Sequence, residues 1–397
     1  MTENIGLEPK EKNPQSAGLR ERLALQMRKN GPMSFRQFMA EVLYSPDGGY
    51  YASLSAGENA GIWLPWVSLG GIYTSFSAGE DDYITSPRVH PAFGAMLARL
   101  FARIFPYLSP GPGQIVEFGS GRGLLADQFL AELKQASPDL YTRTTYFASD
   151  VGDSTTGIEG VHSLPPWGPS LELFPVKGLI FGNEFLDALP VHRVLFRGGR
   201  LREIFVNWSE AGFVEIEEDP TTPELEHHFS RLGLRPPPGQ VVEVNLEALV
   251  WLRAVASALQ QGLILVIDYG ESAETLFSEL YPSGTLRAFS KHTVQSDPYA
   301  ALGQQDLTSD VEFTSLVRIG EELGLKATGP VTQASLLLSL GVTSLFRNLL
   351  CPEKPSLSDL KNNLALSNLL HPQSFGGYQA LMLSKGIPEK ALEILVR

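Results

Sequence analysis

Short apolar runs, each followed by glycine or polar residues, recur along the middle of the chain and predict the core strands of a sheet. These runs cover residues 115–118, 146–149, 179–182 and 263–268. Apolar residues at helical spacing follow the first run, as Leu125, Phe129, Leu130 and Leu133 show. Because predicted strands and helices alternate, we expect an α/β fold built on a doubly wound, mostly parallel sheet.

Other apolar patterns surround these strands. Two helices are predicted over residues 19–29 and 34–43, the second with Ser34 and Gln37 in capping-box positions. A hairpin is predicted from residues 192–197 and 201–208, which flank Gly198-Gly199, and a further strand follows at 212–217. The remaining predicted elements are helices at 246–260, 309–323 and 357–370 and a last strand at 378–384. The helix at 309–323 is expected to begin with a capping box of Ser309 and Glu312.

The length and composition allow more than one structural unit. The chain has 397 residues, of which 43% are hydrophobic and 19% charged, as in ordinary globular proteins. We expect a disordered tail at 1–18, a helical cap with a loop or lid region at 19–110, and a main α/β domain at 111–397. Within the main domain, residues 191–240 are expected to form an insertion, and the C-terminal helices are expected to cover the substrate.

The charge and residue usage exclude several functions. A net charge of -13 argues against binding a nucleic-acid backbone and favours basic partners. The single cysteine, Cys351, cannot form an internal disulfide, and no Cys/His cluster has metal-ligand spacing, so no metal is expected. We expect a cytoplasmic protein with no membrane association, because no apolar run is long enough to span a bilayer and no signal peptide is recognisable.

The first predicted strand leads into the sequence IVEFGSGRG, residues 115–123, which carries candidate chemistry. It places the acid Glu117 near the end of the strand and glycines at alternate positions, Gly119, Gly121 and Gly123. Glycine lets the backbone pass close under a ligand, and the amides at the start of the next helix favour an anionic group. The third glycine is one residue too early for the dinucleotide pattern. The motif therefore indicates motif I of class I S-adenosylmethionine-dependent methyltransferases, another nucleotide site, or a tight turn without a ligand.

Polar side chains also follow the second and third strands, where an α/β sheet gathers its ligands. Asp150 ends the second strand and is placed to accept hydrogen bonds from a ribose diol, or it is a solvated turn residue. Asn183, Glu184 and Asp187 follow the third strand. If Glu184 and Asp187 point inward, they can clamp a guanidinium bidentately. In the alternative, Asn183 and Asp187 serve as turn and helix-cap residues and only Glu184 is functional.

Six segments in the same order resemble the MidA family of S-adenosylmethionine-dependent protein methyltransferases. They are GPMSFRQFMAEVLYSPDGGYY, DDYITSP, IVEFGSGRG, NEFLDALPVHRV, VIDYG and QQDLTSDVEF, and together they span nearly the whole chain after residue 18. The family includes a mitochondrial complex I assembly factor that dimethylates an arginine of a catalytic-core subunit. The resemblance implies a protein-arginine methyltransferase with S-adenosylmethionine as cofactor. Its implied partner is an arginine-bearing protein such as a respiratory complex I-type subunit, and a homodimer is left open.

The resemblance also assigns roles to residues. It implies that Gly119, Gly121 and Gly123 lie under the cofactor and that Asp150 holds its ribose. Glu117, next to the end of the strand before the glycines, is also expected to bind the cofactor. Thr85, Ser86 and Pro87 are then expected beside the cofactor. The acceptor pocket is expected to contain Asn183, Glu184 and Asp187, with Glu184 as the main catalytic carboxylate.

Three departures from the family pattern leave alternatives open. Arg88 follows the TSP segment where the family usually has an acid, so it either weakens cofactor binding, or points to solvent or pairs with a nearby acid such as Asp81 or Asp82. The glycine-rich segment 152–157 cannot sustain the usual helix, and residues 52–80 are about twenty longer than usual, as a lid, an interface or neutral filling. The first two departures leave a catalytically inactive assembly chaperone as an alternative. A small-molecule methyltransferase is a third alternative, which the long loops and the inserted hairpin disfavour.

Overall fold

The structure of the protein is a computed structural model that describes residues 14–55, 85–152, 157–290, 293–295, 297–347 and 356–393. Most of the predicted loop or lid region, including most of the 52–80 extension, lies outside the described residues. So do Asp81 and Asp82, and part of the glycine-rich segment after Asp150.

The described helices are numbered in chain order. They are α1 Pro14–Asn30, α2 Phe35–Tyr44, α3 Tyr50–Ser55, α4 Ser86–Val89, α5 Ala92–Ile104, α6 Leu124–Ala136, α7 Pro138–Thr142, α8 Glu224–Leu232, α9 Leu246–Ala258, α10 Ala273–Leu276, α11 Phe313–Glu322, α12 Gln333–Ser339, α13 Leu357–Leu370 and α14 Glu389–Leu392. None of these helices is long and apolar enough to cross a membrane.

The described strands are numbered in the same way. They are β1 Met33–Ser34, β2 Gly113–Phe118, β3 Thr144–Ser149, β4 Val161–Leu164, β5 Val176–Asn183, β6 His192–Arg197, β7 Arg200–Ser209, β8 Gly212–Glu218, β9 Val242–Val244, β10 Leu259–Asp268, β11 Gly270–Glu271, β12 Arg287–Ser290, β13 Thr293–Gln295, β14 Asp306–Thr308, β15 Val311–Glu312, β16 Lys326–Thr332 and β17 Gln379–Lys385.

The main sheet has seven strands in the order β16-β17-β10-β5-β2-β3-β4. The five strands from β10 to β4 are parallel, and β17 and β16 add an antiparallel edge. The chain runs outward from β2 through β3 to β4 and then returns to β5 on the other side of β2. This reversal creates a switch point between β2 and β5, and ligands of open α/β sheets bind at the carboxyl ends of the strands there. The predicted doubly wound sheet is confirmed.

Two apolar cores cover the faces of the sheet. On one face, α5 and α6 pack on the strands, with Phe93, Phe101 and Phe129 buried. The other face is covered by α9 and α11, where Trp251 is fully buried. The predicted strands at 115–118, 146–149, 179–182 and 263–268 all lie within observed strands. These strands read as short apolar runs because parallel strands are buried on both faces.

A second sheet forms around the predicted hairpin, with the order β1-β7-β6-β9 and β8 paired to β7. The turn is made by Gly198 and Gly199, with φ of 58° and 76°, which suits a two-residue hairpin turn. The first strand, β1, comes from the N-terminal region, and its end, Ser34, caps α2 in the predicted capping box with Gln37. This sheet therefore takes in residues on either side of 191–240.

Several local predictions were wrong. Helix α1 begins at Pro14, so residues 14–18 are helical and not part of a disordered tail, and a proline is well suited to a first helical turn. Ser309 does not cap a helix, because α11 begins at Phe313 and its N-cap is Glu312, whose side chain accepts the N–H of Ser315. The predicted helix at 246–260 ends at Ala258, where β10 begins. The edge strands β4 and β16 were missed.

Candidate functional site

The glycine loop between β2 and α6 is shaped by three left-handed glycines. Gly119, Gly121 and Gly123 have φ of 71°, 53° and 74°, a region that residues with a Cβ rarely enter. The N–H groups of Gly119 and Ser120 donate to the carbonyl of Ser149, at 2.9 and 3.3 Å. A Cβ built on Gly121 would meet no other described atom within 4 Å. The loop therefore leaves open space beside its backbone, as a small-molecule cradle requires.

Asp150 closes this loop from the end of β3. Its Oδ2 accepts the N–H of Gly121 at 2.7 Å, and its Oδ1 accepts the N–H of Gly152 at 3.2 Å. Each carboxylate oxygen can accept more than one hydrogen bond, so these contacts leave capacity for a ligand hydroxyl. The structure thus brings Asp150 to the glycine loop, as predicted from its place after the second strand. Its contact with a ribose stays a prediction.

Glu117 lies in the core beneath the loop and is 2% exposed. Its Oε2 accepts the hydroxyl of Tyr146 on the neighbouring strand at 2.7 Å. Burial raises the pKa of Glu117 to about 8, although the Tyr146 hydrogen bond acts in the opposite direction. The side chain of Glu117 is therefore uncharged over much of the physiological pH range. It packs in the core next to the glycine loop. A direct cofactor contact by Glu117 stays a prediction.

Glu184 stands at the end of β5, on the other side of the switch point. Its φ of 50° is the one positive value recorded for a non-glycine residue among those described. Its Oε1 accepts the N–H of Ser86 at 2.8 Å and the side-chain N–H of Asn183 at 3.1 Å. Its Oε2 is buried and has no hydrogen-bond partner. Burial raises the pKa of Glu184 to about 7, the Ser86 N–H opposes this rise, and the charge of Asp187 adds to it.

Asp187 follows in the same loop and is 3% exposed. Its Oδ1 is also buried without a hydrogen-bond partner, as is Oδ1 of Asn183. Burial raises the pKa of Asp187 to about 6, while the Tyr269 hydroxyl and the Ala188 N–H act to lower it. No helix begins here, so the helix-cap part of the alternative was wrong, but Asp187 does lie in a turn, and Asn183 is the last residue of β5. Three buried acceptor oxygens without donors therefore lie within one five-residue loop.

The TSP segment connects the two loops. Ser86, at the start of α4, is fully buried; its N–H binds Glu184 and its hydroxyl donates to Oε1 of Gln333 at 3.1 Å. The carbonyl of Pro87 accepts the side chain of Gln128, which belongs to α6, at 2.8 Å. Thr85 precedes α4 as its N-cap residue. The segment thus bridges the helix after the glycine loop and the carboxylate of Glu184, and its cofactor contacts stay a prediction.

Two tyrosines of the N-terminal region also reach this site and were missed from the sequence. Tyr44 donates to the carbonyl of Ala188 at 2.9 Å, Tyr51 donates to Oδ1 of Asp306 at 2.9 Å, and their rings stack at 5.2 Å. Burial, together with the charge of Asp306, raises the pKa of both tyrosines. The signal lay in the GGYY and QQD segments of the family resemblance. Asp306, in the QQDLTSDVEF segment, thereby lies close to the loop of residues 183–187, the acceptor loop.

Asp268 is a further site residue that the sequence did not single out. It ends β10, next to β5, and its Oδ2 accepts the N–H groups of Phe185, Leu186 and Asp187 at 3.2, 3.0 and 3.3 Å. Asp268 is an acid at the end of a core strand, and the same feature led to the prediction of Asp150 as a site residue. Tyr269, which follows it, packs against Tyr378 with the two rings tilted and their centroids 5.6 Å apart. It also lowers the pKa of Asp187, so it lies beside the loop at 183–187.

The donor set is that of an organic ligand site. Among the described residues, no group of three or more His, Cys, Asp or Glu side chains could hold a metal ion. Instead the site combines open backbone at the glycine loop, a carboxylate beside it, and unpaired acceptors across the switch point. Such a donor set fits a nucleoside-bearing cofactor on one side and a cation on the other.

Comparisons with known proteins agree with this geometry. A family model described as "Putative S-adenosyl-L-methionine-dependent methyltransferase" matches residues 96–331. The chain is similar to "Protein arginine methyltransferase NDUFAF7, mitochondrial" from Danio rerio, with 28% identity over 84% of this chain and 79% of that protein. It is similar to the Homo sapiens protein of the same name, with 26% identity over 94% of this chain and 83% of that protein.

A solved structure resembles the whole chain. It is the crystal structure of a "likely methyl transferase from Burkholderia thailandensis bound to S-adenosyl-homocysteine". The two chains are 25% identical and superpose with a TM-score of 0.78, over 96% of this chain and 97% of the other. The likeness therefore extends beyond the central sheet to the N-terminal and inserted regions.

Proposed function

The chain belongs to this family of S-adenosyl-L-methionine-dependent methyltransferases, and on that premise we propose that its acceptor is the guanidinium of an arginine in a partner protein. The predicted fold class and the predicted cofactor, S-adenosylmethionine, are confirmed. The identity of the methyl acceptor is what we propose in addition to the fold class and the cofactor.

One observation carries the proposal: the acceptor oxygens of Asn183, Glu184 and Asp187 that are buried without a donor. A buried acceptor without a partner costs roughly 1–3 kcal/mol, so a donor supplied by a ligand or by water stabilises such groups. A guanidinium offers five N–H donors in one plane and stays charged at physiological pH. The two carboxylates also gain a positive partner, which would reverse the rise in their pKa values. The names of the relatives and the net charge of -13 support the same acceptor.

The reaction assigns distinct tasks to the two sides of the switch point. The bound cofactor supplies a methyl group on a positively charged sulfur. The glycine loop and Asp150 fix its position, while Glu184 orients one guanidinium nitrogen toward the methyl carbon. The methyl group would pass from the sulfur to this nitrogen, leaving S-adenosyl-homocysteine, and the methylated nitrogen would lose its extra proton to water. Most of the acceleration comes from positioning and from fixed charge in a site that excludes water.

The partner follows from the family resemblance. We expect the partner to be a subunit of the respiratory complex I type that carries an accessible arginine. We also expect the chain to bind it in the cytoplasm. The second candidate is a binding protein without catalytic turnover, and an experiment distinguishes it from an arginine methyltransferase. Lysate of cells that lack the protein is incubated with the purified chain and S-adenosylmethionine carrying a deuterated methyl group. Mass spectrometry should find deuterated methyl groups on arginine, whereas S-adenosyl-homocysteine binding without any labelled peptide would support the binding protein.

A further inference from the structure

Asp268 holds the loop that carries Glu184 and Asp187. Its Oδ2 accepts three successive backbone N–H groups, those of Phe185, Leu186 and Asp187, and its Oδ1 accepts the N–H of Tyr269 at 3.0 Å. The preceding residue, Ile267, accepts the N–H of Glu184 at 2.8 Å through its carbonyl. The end of β10 therefore binds every amide from residue 184 to residue 187.

This arrangement is electrostatically unfavourable. Asp268 is fully buried, and no salt bridge to it is found in the described parts of the chain. Its charged neighbours are acids: burial raises the pKa of Asp268 well above the usual range, and the charges of Asp187 and Glu184 raise it further. Packing alone does not explain a third acid beside Asp187 and Glu184, because burying an unpaired charge is costly. Its four hydrogen bonds give the reason, because a carboxylate presents acceptors on both oxygens and an amide on one.

The loop that Asp268 holds is strained and touches the cofactor side. Glu184 adopts a left-handed φ of 50°, which persists only where the surroundings dictate it. Phe185 packs so closely that a Cβ on either Gly119 or Gly182 would lie 3.0 Å from its side chain. A shift of the loop would therefore move Glu184 relative to the glycine loop as well as to the acceptor.

We propose that Asp268 is a positioning residue for methyl transfer: through three backbone amides of the loop it fixes Glu184 and Asp187 against the glycine loop without touching either substrate. The inference rests on the proposed function, in which Glu184 and Asp187 hold the acceptor. It adds that the rate depends on a residue outside the acceptor pocket.

The variant Asp268→Asn tests the inference because it keeps the size of the side chain. Asparagine has a single acceptor oxygen, which cannot serve both the loop amides and the N–H of Tyr269, so its NH2 group must face an N–H donor and the loop is expected to shift. A displacement of about 1 Å costs up to about a hundredfold in rate. We therefore expect a fall of roughly thirty- to a hundredfold in the single-turnover rate, with the affinity for S-adenosyl-homocysteine within about threefold of wild type.

Glu203→Gln is the matched control. Glu203 is a fully buried carboxylate that accepts the N–H and hydroxyl of Thr221 at 2.6 and 2.8 Å and pairs with His192, in the second sheet. This variant should lower the melting temperature and leave the rate unchanged. An equal loss of rate in both variants would show that Asp268 matters only for stability and would overturn the inference.

A double-variant cycle separates positioning from independent damage. If Asp268 acts through Glu184, the double variant Asp268→Asn/Glu184→Gln should transfer no more slowly than Glu184→Gln alone, within about threefold. Losses that multiply would contradict the proposal. If Asp268→Asn is recovered only unfolded, Asp268→Glu provides the same test, since it keeps both oxygens and moves them by one methylene. A wild-type rate in Asp268→Glu would overturn the inference.

Hydrogen exchange keeps the inference testable even if the proposed function fails. If the wild-type protein methylates no arginine, the proposed function is wrong, and the amides of Phe185, Leu186 and Asp187 are then measured directly. Their protection should fall in Asp268→Asn while S-adenosyl-homocysteine binding persists. Unchanged protection would show that Asp268 does not position the loop.

Discussion

The carboxylate of Glu184 accepts the backbone N–H of Ser86 at 2.8 Å, so a residue at the end of β5 is held by a segment 98 positions earlier in the chain. The same Ser86 donates its hydroxyl to Gln333 near the C-terminus. Three distant parts of the chain thus fix one carboxylate oxygen and leave the other, Oε2, without a donor. A fixed carboxylate with one open oxygen is suited to orient a cation.

Replacing Glu184 with glutamine should separate binding from transfer. The variant removes a charge that opposes a cation in a buried loop but keeps the size of the side chain. We expect the affinity for S-adenosyl-homocysteine to stay within about threefold and methyl transfer to fall by roughly a hundredfold or more. Calorimetry gives the first quantity and single-turnover labelling the second. Transfer at the wild-type rate would place the acceptor site elsewhere.

Replacing Gly121 with valine should abolish cofactor binding. The residue has a φ of 53°, which a β-branched side chain rarely adopts, and the new side chain would fill the open space beside the loop. The test is a titration with S-adenosyl-homocysteine, with the fold checked by circular dichroism. Gly198→Val, at a hairpin turn with a φ of 58°, is the matched control and should keep its affinity. An unchanged dissociation constant in folded Gly121→Val would remove the loop from the site.

The rate should depend on pH through the acceptor loop. Burial raises the pKa of Glu184 to about 7 and that of Asp187 to about 6, so both acids lose charge as the pH falls below these values. The guanidinium stays charged throughout. We therefore expect kcat/KM for the acceptor to fall up to about tenfold per pH unit below pH 7 and to level off above it. The apparent values belong to the coupled cluster. A flat profile between pH 5.5 and 8 would contradict the role of these carboxylates.

The variant Arg88→Glu tests the clearest departure from the family pattern. Arg88 lies in α4, two residues after Ser86. A positive charge roughly 8 Å from the cofactor sulfur would cost about 0.5–2 kcal/mol, or about two- to thirtyfold in affinity. We expect Arg88→Glu to tighten S-adenosylmethionine more than the uncharged S-adenosyl-homocysteine. The test is to titrate wild type and Arg88→Glu with each ligand at low salt. Equal changes in the two dissociation constants would show that Arg88 does not act on the charge of the cofactor sulfur.

Much of the site could be predicted from the sequence because its chemistry lies next to buried strands. The runs before Gly119, Asp150 and Asn183 are apolar because the strands are covered on both faces. The first glycine or polar residues after each run therefore mark the carboxyl end of the strand, where ligands bind. The sheet order then brings these ends together. The edge strands of the main sheet, β4 and β16, were missed. At least half of the residues in each are exposed, so their apolar pattern is weak.

The contacts between distant segments could not be predicted. Nothing in the local sequence places Ser86 on Glu184 or Tyr44 on the carbonyl of Ala188. Ser309 illustrates the same limit: its spacing to Glu312 fits a capping box, yet its N–H donates to the carbonyl of Asp187 at 3.0 Å. That tertiary hydrogen bond competes with the local cap, and the helix begins at Phe313 instead.

The central claim is that the acceptor is a guanidinium, and residue-level analysis of the transferred methyl group tests it most directly. Protein labelled by the purified chain with radioactive S-adenosylmethionine is hydrolysed in acid, and the amino acids are separated. The label should run with methylated arginine and fall about a hundredfold with Glu184→Gln. Label in methylated lysine or histidine, or only in small molecules, would contradict the claim.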